Sequence, residues 1–443
     1  MARALRAPPA AIVEPTCGVG AFLAAARERF PSASLHGYEL NERYVALARA
    51  AVEGAAITRA DFFETDWCTE LAALPDPLVV VGNPPWVTAA GLGALDARNL
   101  PAVRDASALT GLDARTGRSN FDVSEWMLQR LIEALQHRRA TVAVLCKSSV
   151  ARRLLERAAL RGPALRPAGL WRIDARAHFD AAVDACLFVF ETAAAGSSDA
   201  PVYAGLDAAA PRAHLGVAGG ALVPDVAAWR ATEHLAGACE PEWRSGLKHD
   251  CARVMELTRR DGAWVNGLGA AVDVEDAVRL PLLKGSDVAR GARAPHRSVL
   301  VTQRRLGDDT GRLAREAPRA WAYLTEHRAL FEARRSSIYR GQCAYAVFGV
   351  GPYSFAPWKV AISGLHKRLG FALVGPHEGR PVLFDDTCYF APFAGEEEAR
   401  EALARLTSAE AAAFFEARVF WDAKRPVHKA LLQSLDLAKL APR

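Results

Sequence analysis

No two of the eight cysteines in this 443-residue sequence lie close enough to form a CxxC pair. The sequence therefore indicates neither a zinc ribbon nor a disulfide framework, and scattered single cysteines fit a reducing cytoplasm. No run approaches the roughly 18–20 apolar residues of a membrane span, and the opening MARALRAPPAAIVEP lacks the apolar core of a signal peptide. We therefore predict a cytoplasmic protein without a membrane segment or a metal site.

The composition excludes a disordered or fibrous chain, because 51% of the residues are hydrophobic and 24% are charged. The net charge is unevenly distributed. Residues 1–250 hold 26 basic and 28 acidic residues, a net −2, whereas residues 251–443 hold 29 and 22, a net +7. A polyanion-binding surface in the C-terminal part is one interpretation. An ordinary solvated surface is the other.

Short apolar runs in the first 150 residues end at a polar residue and are followed by helical stretches. The first four runs lead to Glu14, Glu39, Asp61 and Asn83, with spacings of 25, 22 and 22 residues. That spacing is typical of βα units, so we predict an α/β doubly wound, mostly parallel sheet with helices on both faces. Ligands of such sheets bind beyond the carboxyl ends of the strands, where these polar residues fall.

The composition changes near residue 191, where the stretch 191–200 is typical of a loop or linker. From about residue 245 the βα rhythm is absent, and short mixed segments with many arginines replace it. We therefore predict a first domain over residues 1–235 and a mixed α+β domain over residues 236–443.

The segment EPTCGVG, residues 14–20, lies between the first strand and a helix predicted over 21–29. Glycines allow a ligand to approach the backbone, and the helix N-terminus offers free N–H groups. The third glycine of the dinucleotide fingerprint is missing. The segment also begins with an acid, which would repel a pyrophosphate but suits a cationic amino acid. These features favour S-adenosylmethionine over NAD.

Three further residues extend this predicted cofactor site. A carboxylate at Glu39 can accept both ribose hydroxyls, Asp61 can accept from an adenine amino group, and Phe62 can pack on the adenine ring. Taken singly, each is more often a helix N-cap or a core residue, but the occurrence of all three at strand ends in register is not expected by chance. The residues that this chemistry singles out for the cofactor are Glu14, Gly18, Gly20, Glu39, Asp61 and Phe62.

The tetrapeptide Asn83-Pro84-Pro85-Trp86 follows the fourth strand directly. Two prolines fix φ and remove N–H donors, so the loop is stiff. The Asn83 side-chain oxygen and the Pro84 carbonyl can hold the two hydrogens of an exocyclic amine, which orients the nitrogen for in-line methyl transfer. Trp86 can stack on the base. The simpler reading is a turn with Trp86 in the core.

Asn-Pro-Pro-Trp after a strand, with EPTCGVG upstream, resembles the amino-group DNA methyltransferases, most closely the gamma-type adenine-N6 enzymes of type II restriction–modification systems. The resemblance implies a seven-stranded class I, Rossmann-like S-adenosylmethionine-dependent domain followed by a target-recognition domain. It implies base flipping in duplex DNA, a cognate restriction endonuclease and a monomer on DNA. The catalytic roles that it implies fall on Asn83, Pro84, Pro85 and Trp86. The cofactor-binding roles that it implies fall on Glu14, Pro15, Thr16, Cys17, Gly18, Gly20, Glu39, Asp61, Phe62 and Asn83.

Two later regions extend the resemblance. Residues 176–190 resemble the late strand of the family, in which an aromatic packs on the extruded base, and Phe179 is our candidate for that residue. Residues 280–287 and 384–389 resemble segments of the recognition domains.

One family feature is missing. A further cofactor motif usually precedes the first glycine turn, and only about ten residues precede the first strand here. The resemblance therefore leads us to expect a methionine pocket that is built differently or is completed by another polypeptide. RNA-base, cytosine-N4 or protein-glutamine methylation, and a catalytically impaired DNA-binding subunit, remain the alternatives.

Basic residues with interleaved aromatics in the C-terminal part suit a surface that follows a phosphate backbone. For each one, an ordinary solvated side chain is the alternative. The candidate DNA contacts are Arg304, Arg305, Arg334, Arg335, Arg340, Lys359, Lys367 and Arg368, and the aromatics among them are Tyr339, Tyr353, Phe355 and Trp358.

Overall fold

The structure is a computed structural model that describes residues 4–87, 122–180, 183–194, 199–292 and 294–440. The chain divides into two compact units, Met1–Ala227 and Ala228–Arg443. The division therefore falls after Ala227, whereas the sequence predicts it after residue 235. Within the described ranges, no helix has the length and apolar character needed to cross a membrane.

The described residues of the first unit form ten strands and the helices that position the candidate site. The strands are β1 Ala11–Glu14, β2 Ser34–Glu39, β3 Ala56–Arg59, β4 Leu78–Gly82, β5 Ala140–Lys147, β6 Leu165–Ile173, β7 Ala185–Thr192, β8 Ala200–Tyr203, β9 Ala213–Ala218 and β10 Ala221–Val223. The helices are α1 Ala21–Arg29, α2 Glu42–Ala51, α3 Trp67–Ala72, α4 Val123–Ala134, α5 Ser148–Arg161 and α6 Ala175–Phe179, and α7 Val226–Thr232 leads into the second unit.

All ten strands belong to one mixed sheet, in the order β10-β9-β8-β6-β7-β5-β4-β1-β2-β3. Strands β1 to β5 pair in parallel, and β7 runs antiparallel to both β5 and β6. The prediction of seven strands is therefore corrected, because β8, β9 and β10 extend the sheet beyond β6. These three strands are short and lack regular alternation, so residues 200–223 gave no strand pattern in the sequence.

Local sequence explains the elements that carry the site. Strand β4, LVVVG, is buried along its whole length, as expected for a central parallel strand that is covered on both faces. Helix α2 begins where the Asn41 side chain accepts from the main-chain N–H groups of Arg43 and Tyr44, which satisfies donors that have no partner within the helix. Leu23 on α1 and Val45 on α2 pack with β1, β2 and β3 in one apolar core.

The second unit contains nine strands and eight further helices within its described residues. The strands are β11 Arg244–Ser245, β12 Glu256–Arg260, β13 Ala263–Asn266, β14 Arg279–Leu283, β15 Arg297–Leu300, β16 Trp358–Ser363, β17 Phe371–Val374, β18 Leu383–Phe384 and β19 Cys388–Phe393. The helices are α8 Ala252–Met255, α9 Gly285–Ala289, α10 Leu313–Glu316, α11 Pro318–Glu326, α12 Arg328–Glu332, α13 Glu396–Leu406, α14 Ala409–Glu416 and α15 Lys429–Gln433.

These strands form two sheets, β11-β19-β16-β17 and β13-β12-β15-β14-β18. All described pairs are antiparallel except β14 with β18. Separate apolar cores lie against the two sheets, one around Trp243 and Phe414 and the other around Met255 and Tyr345. The second unit is therefore a mixed α+β body, as the loss of the βα rhythm predicts.

Candidate active site

The carboxyl ends of β4, β1 and β2 lie side by side, because the three strands are parallel neighbours in the sheet. This arrangement places Glu14, Glu39 and Asn83 at one edge. The main-chain N–H of Gly18 donates to Glu39 Oε2 at 2.9 Å, and that of Asn41 donates to Oε1 at 2.8 Å. The glycine turn after β1 is thereby joined to the acid that ends β2.

The glycine turn depends on backbone conformations that side chains rarely adopt. Gly18 has φ +54° and Gly20 has φ +85°, both in the left-handed region that favours glycine. A Cβ at Gly20 would also lie 3.2 Å from Val52 Cγ2. Cys17 is buried in this turn, and burial raises the pKa of its thiol to about 12, so this cysteine acts as an apolar packing residue.

Glu14 is an unusual group for the end of a buried strand. Its residue is only 2% exposed, and burial raises its pKa to about 9, opposed by a hydrogen bond from the backbone of Leu23. The Oε2 atom is buried and has no hydrogen-bond partner among the described residues. A buried carboxylate oxygen without a partner suits a cationic group such as an ammonium. Glu14 therefore fits the amino-acid end of S-adenosylmethionine.

The predicted adenine contacts, Asp61 and Phe62, lie after β3. Asp61 Oδ1 accepts from the main-chain N–H of Phe63 at 2.9 Å, which orders the turn. Phe62 is 7% exposed, and its ring packs against Trp67, with centroids 4.8 Å apart. The structure thus places Phe62 among aromatic neighbours, and its contact with a cofactor ring stays a prediction.

The loop after β4 carries the candidate catalytic residues Asn83 and Trp86. The Asn83 Oδ1 atom is buried without a hydrogen-bond partner among the described residues. Trp86 is half-buried, and its Nε1 donates to the main-chain oxygen of Leu145 on β5 at 3.3 Å. A buried polar atom that lacks a partner is rare in proteins and often marks a functional site.

Trp86 and Phe179 meet at this edge. Their ring centroids are 5.4 Å apart at an interplanar angle of 72°, and Phe179 is 43% exposed. The sequence places Phe179 in a strand, which is wrong. It is the last residue of the short helix α6, which begins where Asp174 accepts from the main-chain N–H groups of Arg176 and Ala177.

Two further features of this edge do not emerge from the sequence reasoning. Leu40, directly after Glu39, exposes 46% of its surface and offers an apolar contact beside the acid. Lys147 ends β5, and its Nζ lies 2.7 Å from Asp122 Oδ2. The lysine at the end of the fifth apolar run is the signal that could have identified this ion pair.

The candidate DNA contacts in the second unit fall into two groups. Six are exposed. Among them, Arg304 lies over the Phe355 ring at 5.0 Å, and Arg368 donates to the oxygen of Ala289 at 2.5 Å. The exposed set is Arg304, Arg305, Arg335, Arg340, Lys367 and Arg368.

The other two are held inside the second unit. Lys359 is 1% exposed, and its Nζ donates to the carbonyls of Ala356 and Val382 at 2.6 and 3.0 Å. Burial lowers its pKa to about 7. The prediction that Lys359 contacts phosphate is therefore wrong, because the ammonium is enclosed and used for backbone hydrogen bonds.

Arg334 is likewise committed to its own unit. Its guanidinium donates to the main-chain oxygens of Phe331, His249, Ala346 and Ala344 and lies 3.7 Å from the ring centroid of Tyr339. Its contact with a phosphate stays a prediction, because the side chain is only half-buried.

The two segments that resemble recognition domains lie together. Strands β14 and β18 pair in parallel, with Leu283 opposite Phe384. Just beyond them, Gly285 N–H donates to Thr387 Oγ1 at 2.9 Å. A Cβ at Gly285 would lie 2.5 Å from that same oxygen, so the close approach of the two turns requires glycine.

Two known proteins are similar to this chain over most of its length. The type II methyltransferase M.NspV from Nostoc sp. is 40% identical over 442 residues, which cover 98% of this chain and 92% of the relative. The solved structure of MmeI, a type IIL restriction–modification enzyme in complex with DNA, matches 96% of this chain with a TM-score of 0.60 and 14% identity. This chain spans 62% of the length of MmeI. No family model matches the chain.

The similarity to M.NspV along nearly the whole chain makes this protein a methyltransferase. The likeness to MmeI, at its low identity, bears on the fold alone. The near full-length identity to M.NspV decides the family. The chain belongs to the type II methyltransferases, which are enzymes of restriction–modification systems.

Proposed function

We propose that this protein methylates the N6 amino group of an adenine that is flipped out of duplex DNA, as the modification enzyme of a restriction–modification system. The observation that carries the proposal is Asn83 Oδ1, a buried acceptor without a partner among the described residues. Asn83 lies on a loop that is stiffened by Pro84 and Pro85. The loop ends beside the aromatic pair Trp86 and Phe179.

An exocyclic amine is a poor nucleophile because its lone pair is delocalised into the ring. Asn83 Oδ1 and the Pro84 carbonyl accept its two hydrogens, and that arrangement favours a pyramidal nitrogen with an available lone pair. Trp86 stacks on the base, and the Phe179 ring lies edge to face with the Trp86 ring. A base inside the duplex is out of reach of this loop, so the target must leave the stack.

The cofactor is S-adenosylmethionine, which supplies an electrophilic methyl group when bound. Glu14 binds the ammonium with its unpartnered carboxylate oxygen. Glu39 retains acceptor capacity for ribose hydroxyls beyond its two backbone donors. Pro15, Thr16 and the glycines at 18 and 20 would shape the turn that holds the cofactor.

The second unit acts as the DNA-recognition domain. The support for this role is the net charge of +7 in residues 251–443 and six exposed basic side chains among the candidates. Phosphate contacts position such a domain, and contacts to base edges provide specificity.

Sequencing of modified bases in DNA from cells that express the protein tests this function. We expect methylated adenine in a single short sequence context, and none in cells that express Asn83→Ala. Methylated cytosine in such a context would favour cytosine-N4 transfer. Methylation confined to RNA, or absent from both nucleic acids, would refute the proposal.

A further inference from the structure

Three polar contacts, joined by short stretches of the chain, form a closed ring around Trp86. The indole Nε1 donates to the main-chain oxygen of Leu145 at 3.3 Å. Two residues further along β5, Lys147 Nζ lies 2.7 Å from Asp122 Oδ2. The residue after Asp122, Val123, donates its main-chain N–H to the oxygen of Val87 at 3.0 Å, and Val87 follows Trp86 in the chain.

The Lys147–Asp122 pair is the member of this ring that joins β5 to α4. Asp122 is fixed by the start of α4, because its Oδ1 accepts from the N–H of Ser124 at 3.1 Å and from its hydroxyl at 2.5 Å. Its Oδ2 is thereby turned to the lysine. The side chains of Lys147 and Asp122 are 19% and 8% exposed, so the pair lies largely out of water.

A largely buried ion pair adds little net stability, since desolvation of two charges offsets their attraction. What it does provide is a fixed distance between the elements that carry the two charges. Here those elements are β5, which binds the Trp86 indole, and the first turn of α4, which binds Val87. Both ends of the Trp86 segment are therefore held by groups that the ion pair connects.

We propose that Lys147 and Asp122 are positioning residues for methyl transfer, which act by holding the Asn83–Trp86 loop in its productive conformation. The inference rests on the proposed function for its catalytic consequence. Neither residue is assigned a contact with the target base or with the methyl donor. Loss of the pair lets the loop relax, and a displacement of about 1 Å can reduce transfer on the order of a hundredfold.

The first test observes the loop without catalysis. The full chain is labelled with 5-fluorotryptophan, and the Trp86 ¹⁹F resonance is assigned by its absence in Trp86→Phe. We expect this resonance to shift in Lys147→Met and in Asp122→Asn, where asparagine preserves the helix cap. The double variant, which leaves no unpaired buried charge, should show the same shift. Arg153→Met is the matched control, because Arg153 pairs with Glu125 on α4 at 2.6 Å and has no described hydrogen bond or ion pair with the Asn83–Trp86 loop.

The second test measures methyl transfer to unmodified bacterial genomic DNA. We expect kcat to fall at least about tenfold in Lys147→Met, Asp122→Asn and the double variant, with the KM for the cofactor within about twofold. Lys147→Arg should regain most of the lost rate. An unmoved Trp86 resonance and an unchanged kcat in the double variant would overturn the inference. If the resonance moves but the wild type methylates no adenine, the positioning role stands and the proposed function fails.

Discussion

The indole of Trp86 and the phenyl ring of Phe179 lie edge to face, with ring centroids 5.4 Å apart, although 93 residues separate them in the sequence. The strand order explains the contact, because Trp86 follows β4 and Phe179 precedes β7, and both strands flank β5. An edge-to-face contact leaves the face of one ring available. The pair therefore suits a flat aromatic ligand beside Asn83.

Removal of the Trp86 ring and removal of the Phe179 ring should lower activity to different extents. Trp86→Ala loses the proposed stacking surface, and base–aromatic stacking is worth about 1–3 kcal/mol, so kcat/KM for DNA should fall roughly 5- to 150-fold. Phe179→Ala loses an aromatic contact worth about 0.5–1.5 kcal/mol and should have the smaller effect. Steady-state methyl transfer measures both variants.

The control for this pair is Tyr203→Leu. It removes another aromatic contact of the first unit, in which Tyr203 stacks on Trp171 with centroids 4.7 Å apart. Its kcat/KM should equal that of the wild type. An equal loss of kcat/KM in all three variants would show that the losses come from general destabilisation.

Asn83→Ala should lower kcat on the order of 10²–10³-fold, because one of the two oriented acceptors for the amine is lost. The substitution removes no hydrogen bond between described residues, so the melting temperature should stay close to that of the wild type. Single-turnover rates and thermal unfolding measure the two effects. Transfer at the normal rate would show that Asn83 does not orient the amine.

Binding of S-adenosylmethionine should release a proton. Burial raises the pKa of Glu14 to about 9, so the carboxyl is protonated at pH 7, whereas an ammonium ligand requires the carboxylate. Calorimetry at pH 7 in buffers of different ionisation enthalpy should give about one proton per ligand in the wild type. Glu28→Gln, at an exposed position on α1, should release the same number of protons as the wild type. Glu14→Gln should release no proton and should bind the ligand weakly. Equal enthalpies in every buffer would contradict this role.

The same carboxyl should affect stability. Its pKa is raised in the folded state, so the folded protein holds a proton that the unfolded chain releases above about pH 4.5. The free energy of unfolding contributed by Glu14 is therefore lost as the pH rises from about 4.5 to 9. Glu14→Gln should flatten that part of the stability profile in denaturant titrations of the ligand-free protein. A profile identical to the wild type would rule out this linkage.

The salt dependence of DNA binding should separate exposed from buried cations. Arg335→Gln and Arg340→Gln each remove an exposed charge and should reduce the slope of log K against log salt by about 0.9 if that residue contacts a phosphate. Lys359→Met should leave the slope unchanged, because the ammonium is enclosed. Fluorescence anisotropy on duplex DNA measures the slopes. A lower slope in Lys359→Met would contradict the enclosed placement.

The sequence predicts the parallel part of the first sheet well, because each feature there has a local physical cause. A parallel strand that is buried on both faces reads as a continuous apolar run, so the end of β4 is visible in the sequence as VVVG before Asn83. The spacing of such runs predicts that Glu14 and Glu39 share an edge, and the parallel register of β1 and β2 brings them there.

The remaining features depend on tertiary contacts that leave no local pattern. Lysine and arginine side chains carry long apolar stems, and the sequence does not reveal whether such a stem crosses a surface or enters a core. The side chains of Lys359 and Arg334 turn inward and donate to main-chain oxygens of their own unit. Strands β8 to β10 are too short to show a period, and Phe179 lies in a five-residue helix that resembles part of a strand.

The most direct test of the central claim uses the purified chain, unmethylated duplex DNA and S-adenosylmethionine that carries a trideuterated methyl group. After digestion, mass spectrometry locates the label among the nucleosides. We predict label in N6-methyladenine with the wild type and none with Asn83→Ala. Label in N4-methylcytosine, or equal labelling by Asn83→Ala, would contradict it.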